Sequence, residues 1–296
     1  MKNKIIIIGK NSFIGANLFK SLKNKFNTKI YNYQTFLNVR PKLLFNVNYV
    51  INCSSNKQYV KKKYSEKNDF DFQISQKIKD LKCKMIFLTS RKIYKLGDNL
   101  NESSKLKPNC NYSKNKLKTE KKLLKNLKNR ILILRISNLI GVNNSRISNK
   151  KIHKTFIDAF FSNVQRSIIF NNAKNYKDFL SINKFIEIIE KLINKKAVGI
   201  YNVSLGKKVY LNKLINWLNL FNKNKYKCID IPKSYKTECF YLNNDKLMKK
   251  INIKNGLIDL EKACKAISKS FFKKKINEKK NCINFWYYWT RRIVLD

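Results

Sequence analysis

The chain predicts an α/β fold organised around a doubly wound parallel sheet. Three observations carry this: an unbroken apolar run at residues 5–8, a turn bounded by Gly9 and Gly15 directly after it, and alternating apolar runs and helical periodicities as far as Gly141. A strand covered on both faces shows no polar alternation, so consecutive isoleucines read as the inside of a parallel sheet. After the turn, Phe13, Ile14, Leu18, Phe19 and Leu22 recur at helical spacing, with Lys20 and Lys23 on the outer side. Short strands follow at residues 29–31 and 49–52, a helix at 70–81, a strand at 85–88, a helix from Tyr112 to residue 127 and a strand at 131–136. Such alternation implies parallel pairing, because each crossover returns the chain to the same edge of the sheet.

Beyond Gly141 the rhythm loosens. Residues 142–151 form a polar departure into a smaller region, a helix at 184–193 and a strand at 199–203 resume the pattern, and 211–220 and 257–267 read as amphipathic helices. The chain thus divides into residues 1–141, with returning segments near 177–204, and a mainly separate unit over 142–296.

At 296 residues and 43% hydrophobic, the chain can bury a sizeable core. No apolar run approaches the roughly 20 residues that cross a bilayer, and the four isoleucines after Met1-Lys2-Asn3-Lys4 are too few for a signal-peptide core, so a cytoplasmic protein is expected. Seven scattered cysteines without a C-x-x-C fit reduced thiols. His153 is the only histidine, which argues against a His-based metal centre and against a Ser-His-Asp triad; no metal is expected. A net charge of +47 raises nucleic acid or anionic membrane as partners. The excess, however, is spread along the whole chain as Lys beside abundant Asn and Ile, and it reads first as compositional drift, with polyanion binding as the rival. No specific nucleic-acid partner is expected, and the field attracts phosphorylated ligands in either case.

The residues that carry chemistry are Ser90, Tyr112 and Lys116. Tyr112 and Lys116 stand four apart and share a helix face, while Thr89-Ser90 sits at the tip of an apolar strand. A cation near a phenol favours phenolate, and a serine hydroxyl can hold a substrate oxygen, so the set suits proton transfer beside a nicotinamide. Tyr59-x-x-x-Lys63 has the same spacing but lies in a polar stretch without a preceding strand. Strand, Gly9-Lys10-Asn11-Ser12-Phe13-Ile14-Gly15, helix is an arrangement that receives a pyrophosphate on backbone amides at a helix N-terminus.

Taken in order, these motifs resemble the extended short-chain dehydrogenase/reductase family of nucleotide-sugar epimerases, dehydratases and reductases, dTDP-4-dehydrorhamnose reductases included. Gly9-x-x-Ser12-x-x-Gly15 resembles its glycine motif, Asn52-Cys53-Ser54-Ser55 the small-residue segment lining the cofactor after the fourth strand, and Thr89-Ser90-Arg91-Lys92-Ile93-Tyr94 its active-site strand. Pro108-x-x-x-Tyr112-x-x-x-Lys116, Leu134–Gly141, Lys177-Asp178-Phe179 and Tyr201-Asn202-Val203 follow in the family's order. The resemblance implies a Rossmann fold with a C-terminal substrate-binding region, and an enzyme using NADP or NAD on a nucleotide-linked sugar. Tyr112 would be the general acid/base, Lys116 would lower its pKa and hold the nicotinamide ribose, and Ser90 would bind the reacting oxygen. Gly9, Asn11, Ser12, Phe13, Ile14 and Gly15 would hold the pyrophosphate, Asn32, Cys53, Ser54 and Ser55 would line the cofactor with Tyr112 and Lys116, and Asn138 would contact substrate. A homodimer is a further expectation of the resemblance.

Three departures modify the expectation. Ser12 replaces the middle glycine, and its side chain is expected to restrict how closely the cofactor approaches. No Asp or Glu precedes Glu66, so the ribose-binding acid near Asn32 is absent; this favours NADP, with Lys10 or Arg40 as partners of a 2′-phosphate. Arg91 and Lys92 stand where sugar-nucleotide dehydratases carry an acidic pair, which argues against dehydration. These departures also leave a second reading, a Rossmann-fold binding or scaffold protein without chemistry. The tail ends in Phe285-Trp286-Tyr287-Tyr288-Trp289-Thr290-Arg291-Arg292, read either as packing or as peripheral membrane contact.

Overall fold

The computed structural model describes residues 2–142, 156–171, 174–230, 238–253 and 256–272. The aromatic tail and most of the polar departure, with His153, lie outside them. In chain order the elements of the first part are β1 (Lys4–Ile8), α1 (Phe13–Leu22), β2 (Asn27–Tyr31), α2 (Tyr33–Leu37), β3 (Tyr49–Asn52), α3 (Lys57–Lys61), α4 (Phe70–Lys77), β4 (Lys84–Ser90), α5 (Asn111–Leu127) and β5 (Ile131–Ile136). The second part adds β6 (Asn138–Ile140), α6 (Phe156–Gln165), β7 (Ile168–Asn171), β8 (Tyr176–Lys177), β9 (Phe179–Ser181), α7 (Ile182–Asn194), β10 (Gly199–Val203), β11 (Val209–Tyr210), α8 (Leu211–Asn219), β12 (Lys227–Asp230), α9 (Asp245–Ile251) and α10 (257–272).

Six strands form one parallel sheet in the order β2-β1-β3-β4-β5-β10, which is the doubly wound arrangement predicted. The chain reverses direction across the sheet between β1 and β3, and the crevice outside their carboxyl ends is where such sheets bind ligands. β1 explains its own composition. Ile5 and Ile7 face a core with Leu18, Leu22 and Phe185, while Ile6 and Ile8 face another with Phe36, Ile74 and Leu123. All four are at most 2% exposed, and each contributes about 1.5–3 kcal/mol of burial.

Some boundaries differ from expectation. The segment Asn52-Cys53-Ser54-Ser55 follows the third strand, not a fourth, because residues between β2 and β3 form α2 and a 3-10 turn over Pro41–Leu44. α4 stops at Lys77, four residues short of the predicted end. Arg130 accounts for the stop: its guanidinium donates to the carbonyls of Lys79 (2.5 Å), Ile78 (3.5 Å) and Leu81, binding the chain out of helical geometry. β4 runs on through Thr89 and Ser90, α10 runs on to residue 272, and α2, α3, α6 and α9 were not predicted.

The second part has a core of its own, with Phe160, Phe161, Phe179, Leu214, Leu218 and Leu260 among its members. Three two-stranded pairings, β6 with β9, β7 with β12 and β8 with β11, frame it. It also returns to the large sheet: β10 forms the edge, and Phe185, Ile189, Leu247 and Ile251 from α7 and α9 enter the same core as Ile5. Among the described residues no helix is long and apolar enough to cross a membrane.

Asp178, between β8 and β9, gathers three loops of the second part. Fully buried, it accepts the amides of Leu205 (3.0 Å), Gly206 (3.2 Å) and Leu242 (3.2 Å). Burial pushes its carboxyl up to about 7, against the pull of those donors. A carboxyl raised in the folded state stabilises fully below its unfolded pKa and loses that contribution as pH rises through the folded value. Denaturant unfolding of wild type and Asp178→Asn from pH 4 to 7.5 should therefore show the wild-type advantage shrinking by on the order of 3 kcal/mol with rising pH; a pH-independent difference would contradict this account.

Candidate active site

The turn after β1 is built by two glycines and a serine. Gly9 has φ +118°, and a Cβ there would lie 2.9 Å from the Cys53 carbonyl carbon; a Cβ on Gly15 would lie 2.4 Å from the Gly9 oxygen. Neither position accepts a side chain without moving backbone. Ser12 caps α1. Its Oγ donates to the Gly9 carbonyl (2.9 Å) and accepts the Gly15 amide (2.9 Å), so the side chain lies folded inside the turn. On the outer side of the turn the Phe13 and Ile14 amides have no intrahelical acceptor. The turn is tied to β2 through the Gly9 amide on the Tyr31 carbonyl (2.8 Å), next to Asn32, which begins α2 without a side-chain cap.

Across the crevice, Asn52 organises the turn that follows β3. Its Oδ1 accepts both the amide (3.0 Å) and the hydroxyl (2.7 Å) of Ser54, and its Nδ2 donates to Asp71 Oδ1 (2.8 Å). Cys53 and Ser55 are half-buried beside it. Burial, and then the Asp71 charge, push the Cys53 thiol up, so it is held neutral.

Ser90 ends β4, where its Oγ accepts the Lys92 amide (3.2 Å) and starts a one-turn 3-10 segment. α5 begins at the same carboxyl edge. The amide of Cys110 donates to Ser113 Oγ (3.2 Å), a capping interaction that fixes the first turn, on which half-buried Tyr112 sits. Lys116 follows one turn later, only 7% exposed, and donates to Asp71 Oδ2 at 3.0 Å. Its ammonium lies 4.6 Å from the Phe87 ring centre and 5.6 Å from that of Tyr59. Burial pulls Lys116 down, but Asp71, Tyr112 and Asp69 together hold it above the ordinary lysine range.

Behind this pair lies a polar chain that the sequence did not announce. Tyr59 and Thr119 share a hydrogen bond (2.7 Å), and Thr119 donates to Asp69 Oδ2 (2.5 Å). Asp69 is raised by burial first and by Asp71 second. Tyr59, set aside above as part of a polar stretch, is 3% exposed and belongs to the back wall of the site. Asp71 and Thr119 carried no signal in sequence, because their partners lie 45 and 50 residues away.

The remaining candidates are more dispersed. Asn138 directs its Nδ2 to the Asp178 carbonyl (2.9 Å), which joins β6 to β9. Arg91 is a buried cation bonded to Glu238 (2.8 Å) and stacked 3.8 Å from the Phe240 ring centre. Half-buried Lys177 is lowered by burial and by Arg91. Lys10 stands beside the end of β2, its amide 3.3 Å from the Tyr31 carbonyl. Arg40 lies beyond α2, three residues before Leu43, whose carbonyl is bonded to Lys4 at the opposite end of β1.

A match to the NAD dependent epimerase/dehydratase family runs over residues 33–204, more than half of the chain. The chain belongs to that family. The match in this epimerase/dehydratase protein starts after the glycine turn and includes Ser90, Tyr112 and Lys116. Among solved structures, it is similar to a UDP-N-acetylglucosamine 4-epimerase from Methanobrevibacter ruminantium M1 in complex with UDP-N-acetylmuramic acid, with TM-score 0.75 and 18% identity over 93% of this chain and 100% of that one. The RMD protein from Pseudomonas aeruginosa complexed with NADPH gives TM-score 0.71 and 14% identity over 93% and 99%. A dTDP-4-dehydrorhamnose reductase from Clostridium acetobutylicum gives 0.67 and 15% over 88% and 98%. At these identities the likeness is one of fold. No curated protein matches the chain in sequence.

In this epimerase/dehydratase protein α5 is held to the sheet by a second buried pair. Arg135 on β5 donates to Glu120 (2.5 Å), to Tyr94 Oη (2.9 Å) and to the Glu102 carbonyl (2.8 Å), with both charged side chains 3% exposed. Removing one partner leaves the other charge buried alone. Arg135→Met should lower unfolding free energy by about 3–5 kcal/mol, and the double variant with Glu120→Met should recover much of it. Chemical denaturation of the three proteins tests this; equal losses in single and double variants would show that packing, not charge, holds the helix.

Proposed function

We propose that this protein is an NAD(P)-dependent oxidoreductase or epimerase of a nucleotide-linked sugar, most like the 4-keto-sugar reductases, acting in the synthesis of surface-polysaccharide precursors. What supports the reading is that Ser90 ends β4, that Tyr112 sits in the first turn of α5, and that Lys116, one turn further on, is buried and paired with Asp71. The glycine cradle supports a dinucleotide: a Cβ at Gly9 or Gly15 would fill the turn, and Ser12 is folded out of the way. In this reading the Phe13 and Ile14 amides receive the pyrophosphate, Ser54 and Ser55 line the far side, Asn32 faces the adenosine ribose and Lys116 holds the nicotinamide ribose. Bound nicotinamide supplies or accepts the hydride. Tyr112 gives its phenolic proton to a carbonyl oxygen, or takes one from an alcohol, while Ser90 holds that oxygen in place.

Epimerisation and reduction use the same three residues. Arg91 and Lys92 follow Ser90 where the resemblance leads one to expect the acidic pair of the sugar-nucleotide dehydratases, so dehydration is not part of the proposal. Against the non-catalytic reading stand the two hydrogen bonds that turn the Ser12 hydroxyl onto Gly9 and Gly15. For the cofactor we favour NADP over NAD. Lys10 is the better placed of the two candidate cations, since Arg40 lies beyond α2 toward the other end of the sheet.

Tyr112→Phe should lower turnover of a nucleotide-linked keto sugar by on the order of 10²-fold or more with nicotinamide affinity nearly intact; near-normal turnover would remove Tyr112 from the chemistry. In nicotinamide fluorescence titrations at physiological salt, NADPH should bind more tightly than NADH, and Lys10→Ala should reduce that preference by roughly tenfold. Equal binding of the two by wild type would argue against the NADP assignment.

A further inference from the structure

Lys116 is a cation in a place where a cation is costly. With its side chain 9% exposed, the ammonium has exchanged most of its hydration for protein partners, and an unpaired amine in such surroundings sheds its proton. The titratable groups around it come from every neighbouring element: Tyr59 on α3, Asp69 at the N-cap of α4, Asp71 on α4, Cys53 after β3 and Tyr112 on α5 itself, while β4 presents the Phe87 ring. Of these, Asp71 makes the ion pair, at 3.0 Å. Its other oxygen is held by Asn52 at 2.8 Å, so the carboxylate is oriented from both sides. Asp69, two residues away, is engaged elsewhere, by Thr119 (2.5 Å) and by the Phe72 amide (3.0 Å).

We propose that Asp71 is the counter-ion of Lys116, a positioning residue that keeps the ammonium charged and aimed along α5 at Tyr112, so that the acid–base pair stands ready before any ligand enters. The inference rests on the reading of Tyr112 and Lys116 as the catalytic pair. It separates two carboxylates that look alike in sequence. Asp69 is raised by burial and by its neighbour, and its oxygens are taken up by Thr119 and the Phe72 amide, not by Lys116. Asp71 is thus the carboxylate bonded to Lys116, and Asp69 serves the N-terminus of α4. An ammonium has three N–H donors, so the pair with Asp71 does not exhaust it.

The test is an NMR titration of the protein carrying 13Cε-lysine, the Lys116 signal being assigned by its loss in Lys116→Arg. In wild type, Lys116 should titrate above the solvated lysines. In Asp71→Asn it should titrate about one to three pH units lower, and kcat/KM should acquire an alkaline limb at the same pH. Asp71→Glu should restore the wild-type profile. Asp69→Asn, a change of the same size at a position where Asn also caps a helix, should leave the Lys116 titration high. A wild-type Lys116 that titrates with or below the solvated lysines overturns the proposal without requiring any variant to fold; so does an unchanged titration in Asp71→Asn, or an equal fall in both variants. Full turnover in Tyr112→Phe would be a different failure: it would remove the catalytic reading while leaving the Lys116 titration to be judged by itself.

Discussion

The buried face of α5 is the constraint on which the rest of the molecule turns. Its second half seats in the ordinary way, with Leu123 and Leu127 in the core beneath the sheet. Its first half does not. There the inward positions include Lys116, Thr119 and Glu120, and each is partnered from another element: Asp71 on α4, Asp69 at the N-cap of α4, and Arg135 on β5. A polar group taken out of water without a partner costs free energy of the same order as a whole domain's margin of stability. The placement of α4, of the turn after β3 and of the loop through Glu102 is therefore bound to that of the helix bearing Tyr112.

Much of this fold is legible in the amino-acid sequence, for identifiable reasons. β1 is readable because both faces are covered and no polar residue interrupts it; the turn is readable because Gly9 adopts a conformation that other residues rarely enter. α5 is readable through its length and the strand before it. What escapes reading is either short or tertiary. α2 and α3 have five residues each, too few for a periodicity, and the pairings of β8 with β11 and β6 with β9 involve two or three residues. The end of α4 depends on Arg130, more than fifty residues further on from the carbonyls it binds at Ile78.

The site itself divides along the same line. Ser90, Tyr112, Lys116 and the glycine turn are local motifs. Asp71, Asp69 and Thr119 are not, because the sequence around Asp69 and Asp71 reads as an unremarkable helix start. Lysine abundance makes matters worse: Tyr-x-x-x-Lys occurs at both Tyr59 and Tyr112, and only the three-dimensional arrangement puts one in the back wall and the other at the edge. The Ser12 departure reads from sequence as an obstruction, whereas the folded turn uses the hydroxyl to satisfy its own backbone.

The chain holds 18 carboxylates against 65 Lys and Arg, and Asp69, Asp71, Glu120 and Asp178 are all buried. These four of the scarce acids act inside the protein, two of them as partners of the buried cations Lys116 and Arg135. The serine-pinned turn has a kinetic counterpart. Its shape is set by internal hydrogen bonds, so the ordering entropy that a floppy glycine loop would surrender on capture of an anion is already lost when the protein folds. On the proposed reading of that turn as the pyrophosphate site, arrival of the ligand would be a docking event whose speed follows ionic strength, and not a loop-closing event whose speed follows chain motion.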